Sequence, residues 1–170
     1  GNMAVAQRGT SATGIDTDSS ATEGYHTVDR FIFGGNNAGI HTMTQDSETP
    51  AGFGSSIKID CTTAKGSLDA DSYLYILHRI EAQDLQQLAF GESGAKSYTI
   101  SFWVRSPKTG THYLELYHGD SSGSTKRKNS YAYTISSADT WEKQSMTFAG
   151  DTGTNTINND TGWGLMLIFY

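Results

Sequence analysis

The sequence predicts an all-β protein: a β-sandwich of jelly-roll type with at most one or two short helical turns. The 170 residues include 19 glycines, only 2 prolines and 11% aromatic residues, while charged residues make up only 18%. This composition favours strands over helices. Short apolar runs with a period of two recur along the chain, and clusters of Gly, Ser, Thr and Asn separate them. Many short strands between such turns are typical of sandwiches.

The length suits a single domain spanning residues 1–170, because a chain of this size can bury an adequate core. Residues 9–24 are rich in Gly, Ser, Thr and Asp, so we expect a flexible loop there. Residues 163–170 are apolar on both parities, which predicts a central strand covered on both faces. Because the sequence stops on that strand, we expect the natural chain to continue past Tyr170.

Period-two alternation predicts the other strands. They comprise residues 55–61, 73–81, 130–135 and 141–148. Residues 84–90 are the one helical candidate, which Asp84 would cap and Gly91 would end. We expect one or two turns in a crossover.

A hairpin is predicted between residues 98 and 117. Its two strands flank Pro107 and Gly110, which favour a tight turn with a bulge. Ile100 and Phe102 must share the core face with Leu114 and Leu116, since a slip of one residue would expose them all. The opposite parity therefore points outward, and it carries Trp103, Arg105, Tyr113, Glu115 and Tyr117.

This outward set predicts a glycan-binding face. Pairing across the turn would bring Trp103 next to Tyr113. Aromatic rings stack on the apolar C–H face of a sugar, and we assign that role to Trp103, Tyr113 and Tyr117. Arg105 and Glu115 would bind the hydroxyl groups. The alternative is that a crossing loop or a neighbouring subunit covers these aromatic residues.

Charge and hydropathy exclude two classes of partner. The chain has 18 acidic and 12 basic residues, a net charge of −6. We expect no nucleic-acid partner, because nucleic acids attract a positive field. No apolar run approaches the roughly 20 residues of a spanning helix, so we expect no membrane insertion.

Catalysis has little support in the sequence. A glycosidase needs two carboxylates flanking the bond it cleaves. Asp60, Glu81 and Glu115 occupy outward strand positions, but nothing in the pattern brings two of them together. Cys61, the only cysteine, has inward parity and is predicted to be an inert core residue. We therefore expect no enzyme.

The metal ligands are unknown from the sequence. No two histidines have metal-ligand spacing on a helix, and we interpret them as buried, hydrogen-bonded residues: His26, His41, His78, His112 and His118. Two carboxylate pairs on loops, Asp16 with Asp18 and Asp69 with Asp71, lack the twelve-residue calcium-loop pattern. No cofactor is predicted, and a structural Ca²⁺ stays open.

Two charged segments have alternative explanations. Lys126, Arg127 and Lys128 are predicted to be a solvated loop or strand entrance, with an anionic glycan or a partner protein as the alternative. The planar guanidinium of Arg8 can pair with the carboxylate of Asp29. We expect such pairs to lock the N-terminal segment to the sandwich, with ligand binding as the alternative.

Nine segments carry a family likeness: residues 2–10, 28–31, 80–85, 90–91, 95–96, 101–106, 108–110, 139–143 and 148–151. The first two correspond to an "N-G … Q-R-G … D-R-W" opening, and the others to a central stretch and a later one. In these segments the chain resembles β-sandwich domains of bacteriophage tail-fibre and related virion proteins, including those of marine phages. Phe31 stands where the family has Trp, and Met3 where it has Gly. The family resembles jelly-roll domains of the galactose-binding and carbohydrate-binding-module type.

The resemblance implies a non-catalytic, virion-associated or extracellular carbohydrate-binding module that recognises a host surface polysaccharide. The alternative is a purely structural module of a tail fibre or capsid that makes protein–protein contacts. Family members continue past the position of Tyr170 with a further strand. Its absence would expose a sheet edge, so a homo-oligomer also stays open.

Overall fold

The computed structural model describes residues 2–18, 22–119, 126–153 and 156–170. Within these ranges the chain is a β-sandwich of antiparallel strands with one short 3-10 helix. The strands are β1 (Ser11–Asp16), β2 (Phe31–Asn36), β3 (Ile40–Asp46), β4 (Ser56–Thr63), β5 (Tyr73–Glu81), β6 (Tyr98–Val104), β7 (Gly110–His118), β8 (Arg127–Ile135), β9 (Glu142–Phe148) and β10 (Trp163–Phe169). The predicted fold class is confirmed.

Two compact units make up the chain. The first comprises Gly1–His78 with Tyr170, and the second comprises Arg79–Phe169. The prediction of a single domain that continues past Tyr170 stays a prediction. No helix in the described part of the chain has the length and apolar character needed to cross a membrane.

In the first unit, the sheet β1-β3-β4 packs against the pair formed by β2 and β5. Met43 and Phe33 are almost fully buried between the two layers, with Ile15 beside them. The alternate residues Leu74 and Ile76 bring β5 into the same core. Their neighbours on β5 therefore face away from it.

Strand β1 corrects the prediction of a flexible loop over residues 9–24. Ser11–Asp16 pair with β3, and Ile15 is buried. The register shifts between Ala12 and Ile15, where Gly14 has a φ of 68°. This bulge interrupts the alternation by which a strand is recognised in a sequence. Residues 19–21 of the predicted loop lie outside the described residues.

The N-terminal segment is attached to the first unit as predicted. Arg8 Nη1 lies 3.2 Å from Asp29 Oδ1, and the guanidinium lies 5.1 Å from the centre of the Tyr25 ring. The backbone N–H of Asp29 also donates to the Val5 carbonyl. Because the Arg8 side chain is half exposed, we attribute most of the attachment to the backbone contacts.

In the second unit, the sheet β10-β7-β8 faces the pair formed by β6 and β9 across a hydrophobic core. Leu114 and Leu116 of β7 are fully buried there. The β6 residue Phe102 contacts Tyr133 and Phe169 edge-on, at ring-centre distances of 5.2 and 5.0 Å. On β10, both Leu167 and its neighbour Ile168 are buried, which confirms the prediction that both faces of this strand are covered.

The predicted hairpin between β6 and β7 is wrong. Strand β6 pairs with β9, and β7 pairs with β10 and β8. The segment around Pro107 therefore crosses from one layer to the other, and the Ser106 carbonyl accepts from the N–H of Asp139. The prediction of which residues face the core is nevertheless correct for both strands. A crossing and a hairpin both require the apolar residues to point inward.

Two smaller predictions also need correction. The helix spans Ala82–Leu88, so Asp84 lies inside it and no side chain caps it. It ends at Ala89, in the left-handed conformation, rather than at Gly91. Cys61 is exposed rather than buried, because the last residues of β4 extend beyond the core of the first unit.

Truncating the core between the layers of the second unit should cost stability. We expect Leu116→Ala to lower the free energy of unfolding by about 2–5 kcal/mol, through lost apolar burial and the cavity that remains. The exposed Leu68, in the first unit, is the matched control. Leu68→Ala should change the free energy of unfolding by about 0.5 kcal/mol or less. Urea unfolding measures both, and equal midpoints for the two variants would contradict this description of the core.

Candidate functional site

The structure divides the predicted glycan face between two layers of the second unit. Trp103 lies on the outer side of β6, where it is 39% exposed, and Arg105 follows the end of that strand. Tyr113, Glu115 and Tyr117 lie on the outer side of β7, in the other layer. The five residues therefore do not form one site.

The three β7 residues form a mixed aromatic and charged surface with strand β8. Register places Tyr113 opposite Ala132, Glu115 opposite Ser130 and Tyr117 opposite Lys128. Directly opposite residues on neighbouring strands share one face of a sheet. We call this surface the β7 face; it comprises Tyr113, Glu115, Tyr117, Lys128 and Ser130.

Glu115 is the buried centre of the β7 face. Its Oε1 atom lies 2.7 Å from Lys128 Nζ and accepts a hydrogen bond from Ser130 Oγ at 3.0 Å. Its Oε2 atom is buried and has no hydrogen-bond partner. The hydrogen bond to Glu115 raises the pKa of Lys128. A buried carboxylate oxygen without a partner costs free energy.

Two tyrosines flank this carboxylate along β7. Their Cα atoms are about 13 Å apart, since a strand rises about 3.3 Å per residue. Tyr113 is 49% exposed and Tyr117 is half-buried. Lys128 Nζ lies 5.5 Å from the centre of the Tyr117 ring and so connects this ring to Glu115. The face thus alternates an aromatic ring, a carboxylate and a second ring.

Trp103 lies in different surroundings. It pairs with Lys143, and the neighbouring pairs on this outer surface are Ser101 with Ser145 and Thr99 with Thr147. Arg105 donates from Nε to the backbone carbonyl of Asp139 at 2.9 Å, in the connection that leaves β6. Single exposed aromatic residues are common on protein surfaces. This surface has no buried polar group comparable to Glu115 within the described residues.

The basic triplet lies at the entrance of strand β8, which is one of the two predicted placements. Arg127 and Lys128 belong to β8, and Arg127 forms an ion pair of 2.7 Å with Asp151. The Lys126 ammonium lies 5.4 Å from the centre of the Trp163 ring. The sequence analysis missed Lys128 because the predicted strand began only at residue 130. It missed Ser130 because it did not pair this strand with β7.

A second polar cluster lines an open cavity of about 430 Å³ in the second unit. Asp151 is buried there, with Oδ1 bound by Arg127 and the N–H of Gly153, and with Oδ2 lacking a partner. Next to it, buried His118 forms a hydrogen bond between Nε2 and Tyr98 Oη. The interpretation of His118 as a buried, hydrogen-bonded histidine is confirmed, and burial raises the pKa of Tyr98.

The loop carboxylates do not gather into a metal site in the described part of the chain. Asp18 accepts from Lys65 at 2.7 Å, and Asp16 Oδ1 accepts from the N–H of Asp18. Asp69 Oδ2 accepts from Asn37 Nδ2 at 2.6 Å. A structural Ca²⁺ stays a prediction without assigned ligands.

The three candidate catalytic carboxylates bind different partners. Asp60 lies 3.1 Å from Lys58, and Glu81 accepts from Gln83 at 2.7 Å. Glu115 is held by Lys128 and Ser130, as described above. Each carboxylate thus contacts its own strand or the next segment. These contacts do not bring two of the three carboxylates to opposite sides of a substrate bond.

Two solved structures are similar to the chain. One is the enzymatically active domain of bacteriophage CBA120 tailspike protein 4, with a TM-score of 0.50, 13% identity, and coverage of 91% of this chain and 19% of that chain. The other is the C-terminal family 22 carbohydrate binding module of Clostridium thermocellum Xyn10B. Its TM-score is 0.48 and its identity 11%, and the match covers 96% of this chain and 84% of that chain.

At these identities, the likeness to the tailspike domain concerns the fold alone, and the chain spans about a fifth of that protein (19%). The likeness to the binding module is weaker and supports no argument by itself. No protein-family model matches the chain, and no curated protein matches it in sequence. Assignment of a function therefore rests on the geometry of the site.

Buried histidines should make the protein less stable in mild acid. Burial lowers the pKa of His118, and also those of His41 and His78. Below about pH 6.5 the unfolded chain binds protons that the folded chain does not, so the free energy of unfolding falls as the pH falls. Gln can keep the bond to Tyr98 without titrating, so His118→Gln should make this dependence shallower.

Urea unfolding at several pH values from 7.5 to 5.5 measures this effect. A variant whose unfolding free energy follows the wild-type pH profile would show that His118 is not a source of the acid sensitivity.

Proposed function

We propose that this chain is a non-catalytic carbohydrate-binding module that recognises a host surface polysaccharide. The observation that carries the proposal is the ion pair of buried Glu115 with half-exposed Lys128, between two tyrosine rings on the β7 face. A site of this kind suits a ligand with hydroxyl groups at its centre and an apolar surface on either side. A sugar chain has both.

Each part of the β7 face has a role in this proposal. The rings of Tyr113 and Tyr117 stack against the C–H faces of successive sugars. Glu115 holds the Lys128 ammonium, which can donate a hydrogen bond to a sugar hydroxyl oxygen. Because the Glu115 carboxylate compensates the Lys128 ammonium, the face carries no net positive charge to attract an acidic polymer. It therefore suits a neutral stretch of the polysaccharide.

The non-catalytic part of the proposal follows from the carboxylates. General acid and base catalysis of glycoside cleavage needs two carboxyl groups facing each other across the bond. On the β7 face Glu115 is the single carboxylate, and its Oε1 atom is already held by Lys128 and Ser130. This arrangement favours binding over hydrolysis. The proposal includes an extracellular location, in a phage-like virion, for which the tailspike-like fold and the sequence resemblance are the support.

Removing the charge that holds Lys128 should weaken sugar binding. On a glycan array, we expect Glu115→Gln to bind the preferred glycan about tenfold more weakly, because the Lys128 ammonium loses the ion pair that positions it and a hydrogen bond to a charged group contributes about 1.5–3 kcal/mol. Tyr117→Ala should weaken it similarly through lost stacking. Thr99→Ala, on the outer side of β6, is the matched control and should bind like the wild type. Binding should persist in EDTA, because the β7 face acts without a metal.

Other outcomes would contradict the proposal. A blank array for folded protein, combined with a mass that rises with concentration, would favour the structural module. Loss of binding in Trp103→Ala, with Glu115→Gln unchanged, would place the site on β6 instead.

A further inference from the structure

A second group of aromatic side chains lies in the first unit. Tyr73 and Tyr75 alternate with the core residues Leu74 and Ile76 on β5, so they face away from the core. Tyr73 is 47% exposed, and Tyr170 is 40% exposed. We propose that Tyr73, Tyr75 and Tyr170, here called the tyrosine platform, form a second carbohydrate-binding surface, whose ligand is a neutral polysaccharide.

The rings form one connected surface. Tyr73 and Tyr75 lie with their ring centres 6.0 Å apart and their planes only 22° apart. Tyr170 meets Tyr75 at 63°, with a centre distance of 6.3 Å. Two nearly parallel rings with a third at an angle give a long, shallow apolar surface, which suits successive sugars of a chain better than a compact ligand.

Gly34 makes room for this arrangement. It lies directly opposite Tyr75 on β2, and the Tyr75 ring leans across it. A Cβ atom at Gly34 would come within 2.8 Å of Tyr75 Oη and 3.0 Å of Cζ. Gly34 thus leaves room for the ring over β2, and the hydrogen bond from Tyr75 Oη to Glu23 holds the end of the ring. A ring held in this way loses little freedom when a ligand stacks on it.

Polar groups lie at the margin of the platform. Tyr75 Oη donates to Glu23 Oε2 at 2.6 Å, which leaves the phenol oxygen oriented to accept from a ligand hydroxyl. Asn36, directly opposite Tyr73, donates from Nδ2 to the Asp71 carbonyl. Burial and the Glu23 carboxylate raise the pKa of Tyr75, so its hydroxyl stays protonated at neutral pH.

The charge at this margin selects the ligand class. The Glu23 carboxylate borders Tyr75, and Asp71 follows Asp69 in the turn that precedes Tyr73. A polymer with carboxylate or sulfate groups would be repelled by these side chains. A neutral polysaccharide instead offers C–H faces to the rings and hydroxyl groups to the phenol oxygen. The ligand class rests on the proposed function, whereas the residues are distinct from those of the β7 face.

Affinity electrophoresis tests the platform. Gels would contain dextran, barley β-glucan or galactomannan as neutral probes, and alginate as the acidic probe. We expect wild-type protein to be retarded in at least one neutral gel and not by alginate. Tyr73→Ala should weaken that retardation at least fivefold. Phe53→Ala is the matched control, because it removes another exposed aromatic ring of the same unit, outside the platform.

Gly34→Ala gives a second test that removes no aromatic ring. It should weaken retardation by displacing Tyr75, and circular dichroism would report whether the strands are retained. If Gly34→Ala fails to fold, Tyr73→Ala decides, since its side chain is exposed and its loss should leave the core intact.

Running Glu115→Gln in the same gels separates this inference from the proposed function. If Glu115→Gln loses retardation and Tyr73→Ala keeps it, the proposed function stands and the platform is overturned. If Tyr73→Ala alone loses retardation, the platform is supported and the β7 face is rejected. Retardation by no neutral gel, or by alginate alone, would overturn the platform. So would an oligomer in analytical ultracentrifugation that Tyr73→Ala dissociates, because the platform would then be a protein interface.

Discussion

Burial of Leu114 and Leu116 on β7 is the constraint on which the second unit depends. These two side chains are fully enclosed between the layers. Because side chains alternate along a strand, their burial forces Tyr113, Glu115 and Tyr117 onto the outer side. The same side chains that hold the layers together therefore determine where the proposed binding residues point. A shift of β7 by one residue would disrupt the core and the β7 face at once.

Glu115 shows that this outer side is more than solvated surface. Removing a carboxylate from water is expensive unless it is paired. Lys128 and Ser130 on β8 supply partners for one oxygen, and the second oxygen is left without one. In the proposed function a sugar hydroxyl meets the half-exposed Lys128 ammonium, which this carboxylate holds in place. Buried polar groups that are only partly satisfied are more informative about binding than exposed aromatic residues, which occur on many surfaces.

The tyrosine platform in the first unit also combines tyrosine rings with a carboxylate. There Glu23 accepts a hydrogen bond from Tyr75, and Gly34 leaves room for the Tyr75 ring. The sequence analysis recognised the alternation of residues 73–81 but did not select Tyr73 and Tyr75 as a site. The reason is that their significance depends on β2, which lies some forty residues earlier in the chain and contributes the glycine beneath the ring.

Alternation is a local property of the chain, so it was enough to predict the fold class, most of the strands and the inward or outward direction of their side chains. The exposure of Tyr113 and the burial of both faces of β10 followed from it. Which strands pair could be read only from the folded chain. A hairpin and a crossing between layers need the same inward residues, so the pattern between residues 98 and 117 could not distinguish them. That choice separated Trp103 from Tyr113 and brought Lys128 next to Glu115. Pairing is a contact between distant segments, selected by the packing of the whole core and not by any one stretch of sequence.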